Sequence, residues 1–315
     1  MPKVSIVIPT YNRAWLLRKA ILSVLNQTYQ DFEIIVVDDA SNDNTIDVIS
    51  ALNDKRIKYI RHDVNKGEAG ARNTGILNTN GQYIAFLDDD DEWLPKKLEL
   101  QVNKLENSPQ KTGLIYTSYI RCYYKEKKLI RKHQSIALHK GEMYHILIKR
   151  NIIGPPSCVL IRRKCMEKIG LFDSAIAYGL DYDYWIRISK HFDVEYLAEP
   201  LVKYRVHENR LSNNIELRAQ GARDLAKKYG KKIIASNYWR SIYLFLGIEL
   251  CNKGEMIEGI KAMLESIRHC PTRKISYFYL GISLLGFSNF KRAMVLKKKL
   301  RPYFSVIKER LTKLF

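Results

Sequence analysis

The N-terminal part of the chain is built on apolar runs that each stop at a polar cluster. "VSIVIP" at 4–9 is continuously apolar and closes on a proline; "FEIIVVDD" at 32–39 and "GQYIAFL" at 81–87 repeat the pattern. A strand apolar at successive positions is covered on both faces, as in parallel sheets flanked by helices. "RIKYIRH" at 56–62 reads as a further strand. Between the runs, apolar residues recur at helical spacing. Leu16, Ala20 and Val24 mark a helix for which Asn12 is the expected N-cap. "NDNTIDVISAL" and residues 67–77 are two further helices. Strands and helices that alternate through short connections predict an α/β layer with a parallel sheet. Ligands bind such sheets beyond the C-terminal strand ends. Three polar clusters fall there: "PTYN", "DDAS" and "DDDD".

Beyond residue 110 the pattern loosens. "GLIYTSYIRCYY" and "SCVLIRR" predict strands, "GLDYDYWIRISKHF" a helix, and "VEYLAEPLVKYRVH" a closing pair of strands. From 215 onward the chain reads as helix throughout. The expected division is therefore 1–214 and 215–315. Within the second part Tyr243, Leu246, Gly247, Leu250, Gly254, Gly259, Met263, Ser266 and Pro271 fall near the spacing of one tetratricopeptide-like helix pair, and a single copy reads first as a plain helical hairpin with no peptide-binding role.

Charge is also spread unevenly along the chain. Residues 1–110 hold 13 Lys+Arg against 16 Asp+Glu, while residues 111–315 hold 40 against 17. Such a basic excess suits a polyanionic partner: a nucleic acid, an anionic membrane or a phosphorylated lipid. At the end of the chain, Phe304, Ile307, Leu311 and Leu314 form an apolar stripe with Lys308, Arg310 and Lys313 between them. That pattern suits a membrane surface, or a helix packed on the domain. The start "MPKVSIVIPTYN" shows no secretory leader, and the uncharged run from Ile275 to Asn289 is short for a membrane span. Five cysteines (122, 158, 165, 251, 270) without a CxxC suggest neither a zinc site nor a disulfide framework, and a reducing compartment fits best.

Four consecutive aspartates, 88–91, behind a buried strand repel one another unless something offsets their charge. Carboxylates are hard ligands suited to Mg²⁺ or Mn²⁺, and Mg²⁺ usually takes one or two of them with water and substrate phosphates completing its shell. A solvated acidic turn ahead of the helix starting near Pro95 is the alternative. At the neighbouring strand ends, Asp39 can accept from a base N–H or a ribose hydroxyl, or cap a turn, and Tyr11 offers a face for a base or simply packs.

"VSIVIPTYNR", "EIIVVDDAS", "ARNTG", "YIAFLDDDDEW" and "GLDYDYWIRI" resemble, in order and spacing, the family 2 glycosyltransferases of GT-A fold, over residues 2 to 210. The resemblance implies a Rossmann-like, mostly parallel sheet flanked by helices, with a C-terminal helical extension. It places Pro9, Tyr11 and Asp39 at the nucleobase, Arg72 near the nucleotide, Asp89 at the ribose, Asp90 with Asp88 at a Mn²⁺ or Mg²⁺ ion, and Asp181 as catalytic base. His207 in "YRVHEN" would reach the metal or diphosphate, while Arg162 and Arg163 read as surface charge. The family's usual Glu-Asp is Leu180-Asp181 here, and a second acid, Asp183, follows two residues on. The implied activity is inverting transfer from a nucleotide-sugar donor, a UDP-sugar by resemblance, to a glycan or lipid-linked acceptor. It would take place at the cytoplasmic face of the cell membrane, on an anionic surface and without nucleic acid. The rivals are a sugar-phosphate nucleotidyltransferase, which would want a Gly-rich loop that "PTYNRAW" lacks, and an inactive basic module binding glycan or nucleic acid.

Overall fold

In a computed structural model the chain forms two compact units, Met1–Asn213 and one beginning at Asn214. The structure describes residues 1–126, 128–207, 210–230, 233, 237–269 and 271–296. The apolar stripe at 304–314 and Cys270 lie outside these residues.

The first unit is an α/β layer. Its strands are β1 (Val4–Thr10), β2 (Phe32–Asp38), β3 (Ile57–Arg61), β4 (Tyr83–Phe86), β5 (Glu92–Trp93), β6 (Thr112–Lys125), β7 (Lys128–Ser135), β8 (Val159–Arg162) and β9 (Asp193–Val206). The sheet order is β3-β2-β1-β4-β8-β6-β9-β5, with β7 on β6. Strands β1 to β4 pair in parallel as their apolar runs predict. Beyond them the sheet is mixed, because β8 runs antiparallel to both β4 and β6. Helices α1 (Ala14–Leu25), α2 (Thr45–Ser50), α3 (Gly67–Leu77) and α4 (Lys97–Glu106) make the crossovers. They are followed by α5 (Tyr144–Leu147), α6 (Arg163–Ile169) and α7 (Leu180–Ser189). Ile6, Ile8, Leu17, Ile21, Ile34, Val36 and Ala85 are sealed in one core.

Three local expectations are corrected. Asn12 does not cap α1; it sits at positive φ, its Oδ1 accepts from the Asn42 N–H, and Asp43 takes the Ala14 N–H instead. The predicted closing pair is one long strand, β9, whose register against β6 shifts around Ser118. Arg162 and Arg163 are not surface charges. They donate to the backbone carbonyls of Thr112, Leu105 and Gly81, and so tie the ends of neighbouring elements together.

The second unit is helical: α8 (Ile215–Tyr229), α9 (Asn237–Lys253), α10 (Met256–His269) and α11 (Lys274–Leu284), with residues 287–296 also helical. Helices α9 and α10 meet at glycines. A Cβ at Gly247 would lie 2.7 Å from the Gly259 carbonyl oxygen, and one at Gly259 would lie 2.9 Å from that of Gly247.

Candidate active site

Because β2, β1 and β4 lie side by side and parallel, their C-terminal ends open on one edge, and a bond from the Asp39 N–H to the Thr10 carbonyl joins two of them. The polar clusters of the sequence therefore converge. Asp89, the residue expected at the ribose, is buried and accepts from Thr10 Oγ1 at 2.8 Å and from Arg13 at 3.0 Å. Arg13 also reaches Asp90 at 3.4 Å, and Asp90 lies 3.0 Å from His207 Nε2. The tip of β9 thus brings His207 to the fourth strand's acidic loop from far along the chain.

Asp88 faces the other way. Its Oδ1 accepts from Arg72 at 2.6 Å, and its N–H donates to Ser157 Oγ. Ser157 in turn donates to Asp91 at 2.6 Å, which also accepts from the Arg205 N–H. The four aspartates are thus separately held, and the solvated acidic turn is not what forms. Arg72 is fully buried on α3, pairs with Glu68 one turn earlier as well as with Asp88, and keeps one N–H, on Nε, without an acceptor. It reaches this depth because α3 rides close on β1: a Cβ at Gly75 would fall 2.3 Å from Val7 Cγ1, so only glycine fits.

The electrostatics follow from burial. Loss of solvent pushes the Asp89 carboxyl up to about 7, against the pull of Arg13, with Asp90 adding to the rise. Burial also pushes Asp88 up to about 6, opposed by Arg72. Asp91 is raised further by burial and by the charges of Asp90 and Asp88. Burial would lower Arg72, but Glu68 and Asp88 hold it above its ordinary value. This is a crowded negative edge partly balanced by two arginines.

Asp181 stands at the start of α7, which opens from Gly179 in left-handed conformation. Its carboxyl is pushed up to about 6 by burial first and by Glu68 next, while Arg72 draws it down. The Arg72 charge is thus felt by both Asp88 and Asp181, from two distant parts of the sequence. Asp183, two positions on, is fully enclosed and accepts from Arg187 at 2.8 Å. Arg187 also donates to the carbonyls of Ile169 and Leu171.

At the end of β2, Asp39 Oδ1 lies 2.7 Å from His62 Nδ1 and accepts from the Lys66 N–H, while among the described residues Oδ2 accepts from the Gly67 N–H alone. Oδ2 therefore keeps acceptor capacity for a ligand. Asp38 takes the turn-capping role: its Oδ1 accepts from the Ser41 N–H and its Oδ2 from the Tyr59 hydroxyl. Pro9 lies at the end of β1, and Tyr11 beyond it is exposed, with its ring free of the core.

Arg13, Thr10, His62, Glu68 and Ser157 join the site beyond the residues that the motifs single out. Arg13 ends the motif "VSIVIPTYNR" and Glu68 stands four residues before Arg72 on one helix, so both are legible as charge partners; Thr10, His62 and Ser157 acquire meaning only through tertiary structure. Among the described residues no three His, Cys, Asp or Glu side chains form a group able to hold a metal by themselves. The Asp90–His207 pair offers one carboxylate and one imidazole beside an acidic cluster that Arg13 and Arg72 balance only in part, and Mg²⁺ or Mn²⁺ commonly takes few protein ligands when substrate phosphates supply the rest.

Comparisons with known proteins agree with this architecture. The model described as "Glycosyl transferase family 2" matches residues 5–170. A UDP-Glc:alpha-D-GlcNAc-diphosphoundecaprenol beta-1,3-glucosyltransferase of Escherichia coli is 30% identical over 251 residues, 78% of this chain and 94% of that protein. Among solved structures, S. aureus TarS 1-349 in complex with UDP superposes with a TM-score of 0.61 at 15% identity, covering 92% of this chain and 89% of that one. A mannosyltransferase of Pyrobaculum calidifontis, in complex with GDP-Man and Mn²⁺, superposes at 0.57 and 16% identity over 94% and 86% of the two chains. At these identities the two structures speak for the GT-A fold.

Proposed function

The chain belongs to glycosyl transferase family 2, and from that premise we propose that it transfers a sugar, with inversion, from a nucleotide-diphospho-sugar to a hydroxyl of a lipid-linked glycan. The observation that carries this reading is the convergence at one sheet edge of Asp88, Asp89, Asp90, Arg13, Arg72 and His207, with Asp181 under the same Arg72 charge. The printed activity of the Escherichia coli relative, which uses UDP-Glc and a diphosphoundecaprenol-linked acceptor, supports a UDP-sugar donor and a lipid-linked acceptor. The lipid-linked acceptor of that relative also supports a peripheral enzyme at the cytoplasmic membrane face; among the described residues no helix is long and apolar enough to cross a membrane.

In this reading Tyr11 stacks on the base beside Pro9, and the remaining acceptor capacity of Asp39 Oδ2 takes a base N–H. Asp89, fixed by Thr10 and Arg13, receives a ribose hydroxyl. Arg72 offers its unpartnered N–H to the diphosphate or the transferred sugar. Asp181 removes the proton from the acceptor hydroxyl as its oxygen attacks the anomeric carbon; a carboxyl near 6 is mostly ionised at neutral pH yet basic enough to take that proton. Asp90 and His207 would hold a divalent cation, with Asp88 alongside and anchored to Arg72. That ion, when bound, neutralises charge on the departing nucleoside diphosphate.

Calorimetry with UDP tests the donor side. Affinity should rise with Mn²⁺ or Mg²⁺, and Asp90→Ala should lose that gain. Equal affinity for UDP in EDTA and in metal would remove the cation from the proposal.

A further inference from the structure

Helix α11 faces water with a surface that water does not favour. Its inner side buries Tyr279 against Leu244, Cys251, Met263 and Phe290, and also buries Ser276 and Ser283. The opposite side of a surface helix normally carries polar residues. Here it presents Tyr277, Phe278, Leu284 and Leu285, which are 47%, 57%, 66% and 66% exposed, with Ile275 at 43% beside them. Gly281 sits in the middle of this face, and a Cβ there would meet nothing within 4 Å. A contiguous exposed apolar patch of this kind marks an interaction surface.

Charge identifies the partner. From Pro271 to the last described residue, Leu296, the chain has no Asp or Glu, but it has Arg273, Lys274, Lys291 and Arg292. Arg273 and Lys274 stand at the head of α11 itself. Residues 297–315 contain seven Lys or Arg and one Glu, so they share the sign of the face's border and gain nothing electrostatically by covering it. A second copy of the face would meet the same repulsion. An anionic lipid surface supplies both what the apolar residues and what the basic border require. With 11 residues, α11 reaches only about 16 Å at 1.5 Å per residue, so it can lie in a bilayer surface but not cross it. Aromatic rings such as Tyr277 and Phe278 suit the headgroup level.

We propose that the outward face of α11, centred on Gly281, is a membrane-docking surface that inserts its apolar residues at the headgroup boundary of an anionic bilayer. This goes beyond the transfer reaction and stands or falls without it, because lipid binding is read with no donor or acceptor present.

Gly281 allows a test that leaves the fold alone. Its backbone angle is ordinary and its site is open, so a larger residue keeps the helix. The full chain and two variants, Gly281→Glu and Gly281→Leu, are co-sedimented with vesicles of phosphatidylcholine alone or mixed with phosphatidylglycerol. The parent should bind the mixed vesicles and bind neutral ones weakly. Gly281→Glu should weaken binding about tenfold, and Gly281→Leu should strengthen it about tenfold, roughly what a buried apolar side chain adds. The proposal is overturned if the parent does not bind, or if both variants bind as the parent does. It is equally overturned if light scattering shows a parent dimer that Gly281→Glu converts to monomer while vesicle binding is unchanged.

Discussion

Asp181 and Asp183 are two residues apart on one helix, and their surroundings assign them different work. Asp183 is sealed against Arg187, which also anchors the carbonyls of Ile169 and Leu171, so it is a brace for α7. Asp183→Ala strands that arginine and should lower stability by about 2–4 kcal/mol, read by thermal melting. Asp181→Asn is the opposite case. Burial, with Glu68, raises its carboxyl from an ordinary 3.8 to about 6, so the folded state binds this proton more tightly than the unfolded state does. Stability is then lost as pH rises from about 4 through 6, and ionised Asp181 is a net liability at pH 7. The Asn variant should melt higher than the parent at pH 7, by about 1–2 kcal/mol, and no higher at pH 4. A helix pair two residues apart points in different directions, which the sequence alone makes legible. The i,i+4 spacing of Asp183 and Arg187 makes that pair legible too; what the sequence does not show is that Arg187 also holds the Ile169 and Leu171 carbonyls, which arrive from outside the helix. His62 is hidden in the same way: it acquires a function only because β3 and β2 pair and bring it to Asp39.

At the scale of elements, the apolar runs identified β1, β2 and β4, because a strand covered on both faces leaves a plain signature. β7 left none. All but the last of its residues are exposed, it pairs only with β6, and no buried face imposes alternation on "KLIRKHQS". β9 looks like two strands in the sequence because a proline in a strand resembles a break, and in the structure Pro200 is where its register against β6 slips without the strand ending. Within "ARNTG", Gly75 has a geometric role that the motif does not announce. Gly75→Ala forces α3 off Val7, which is itself sealed in the sheet, and should destabilise by about 1–3 kcal/mol. It should also weaken UDP binding, because Arg72 stands one turn earlier on the helix; unchanged melting and affinity would show that β1 yields instead.

At the scale of the whole molecule, the chain joins an α/β unit with an acidic ligand edge to a helical unit rich in Lys and Arg. The charge asymmetry was visible in composition. The apolar face of α11 was visible only as an uncharged run, because which side of a helix packs inward depends on its neighbours. The glycine crossing of α9 and α10 is local to the second unit. Gly247→Val, which meets Met263 and the Gly259 carbonyl, should therefore lower the melting of the helical unit by about 1–3 kcal/mol while UDP still binds the first. The central claim is that Asp181 is the base of a nucleotide-sugar-dependent transfer. The most direct measurement is nucleotide release from UDP-, dTDP- and GDP-sugars with Mn²⁺ and a diphosphoundecaprenol-linked glycan acceptor, run for the parent and for Asp181→Asn. The account predicts release from one donor class that falls about a hundredfold or more in the variant while UDP affinity is kept. Release from no donor, or equal turnover in the two proteins, would contradict it.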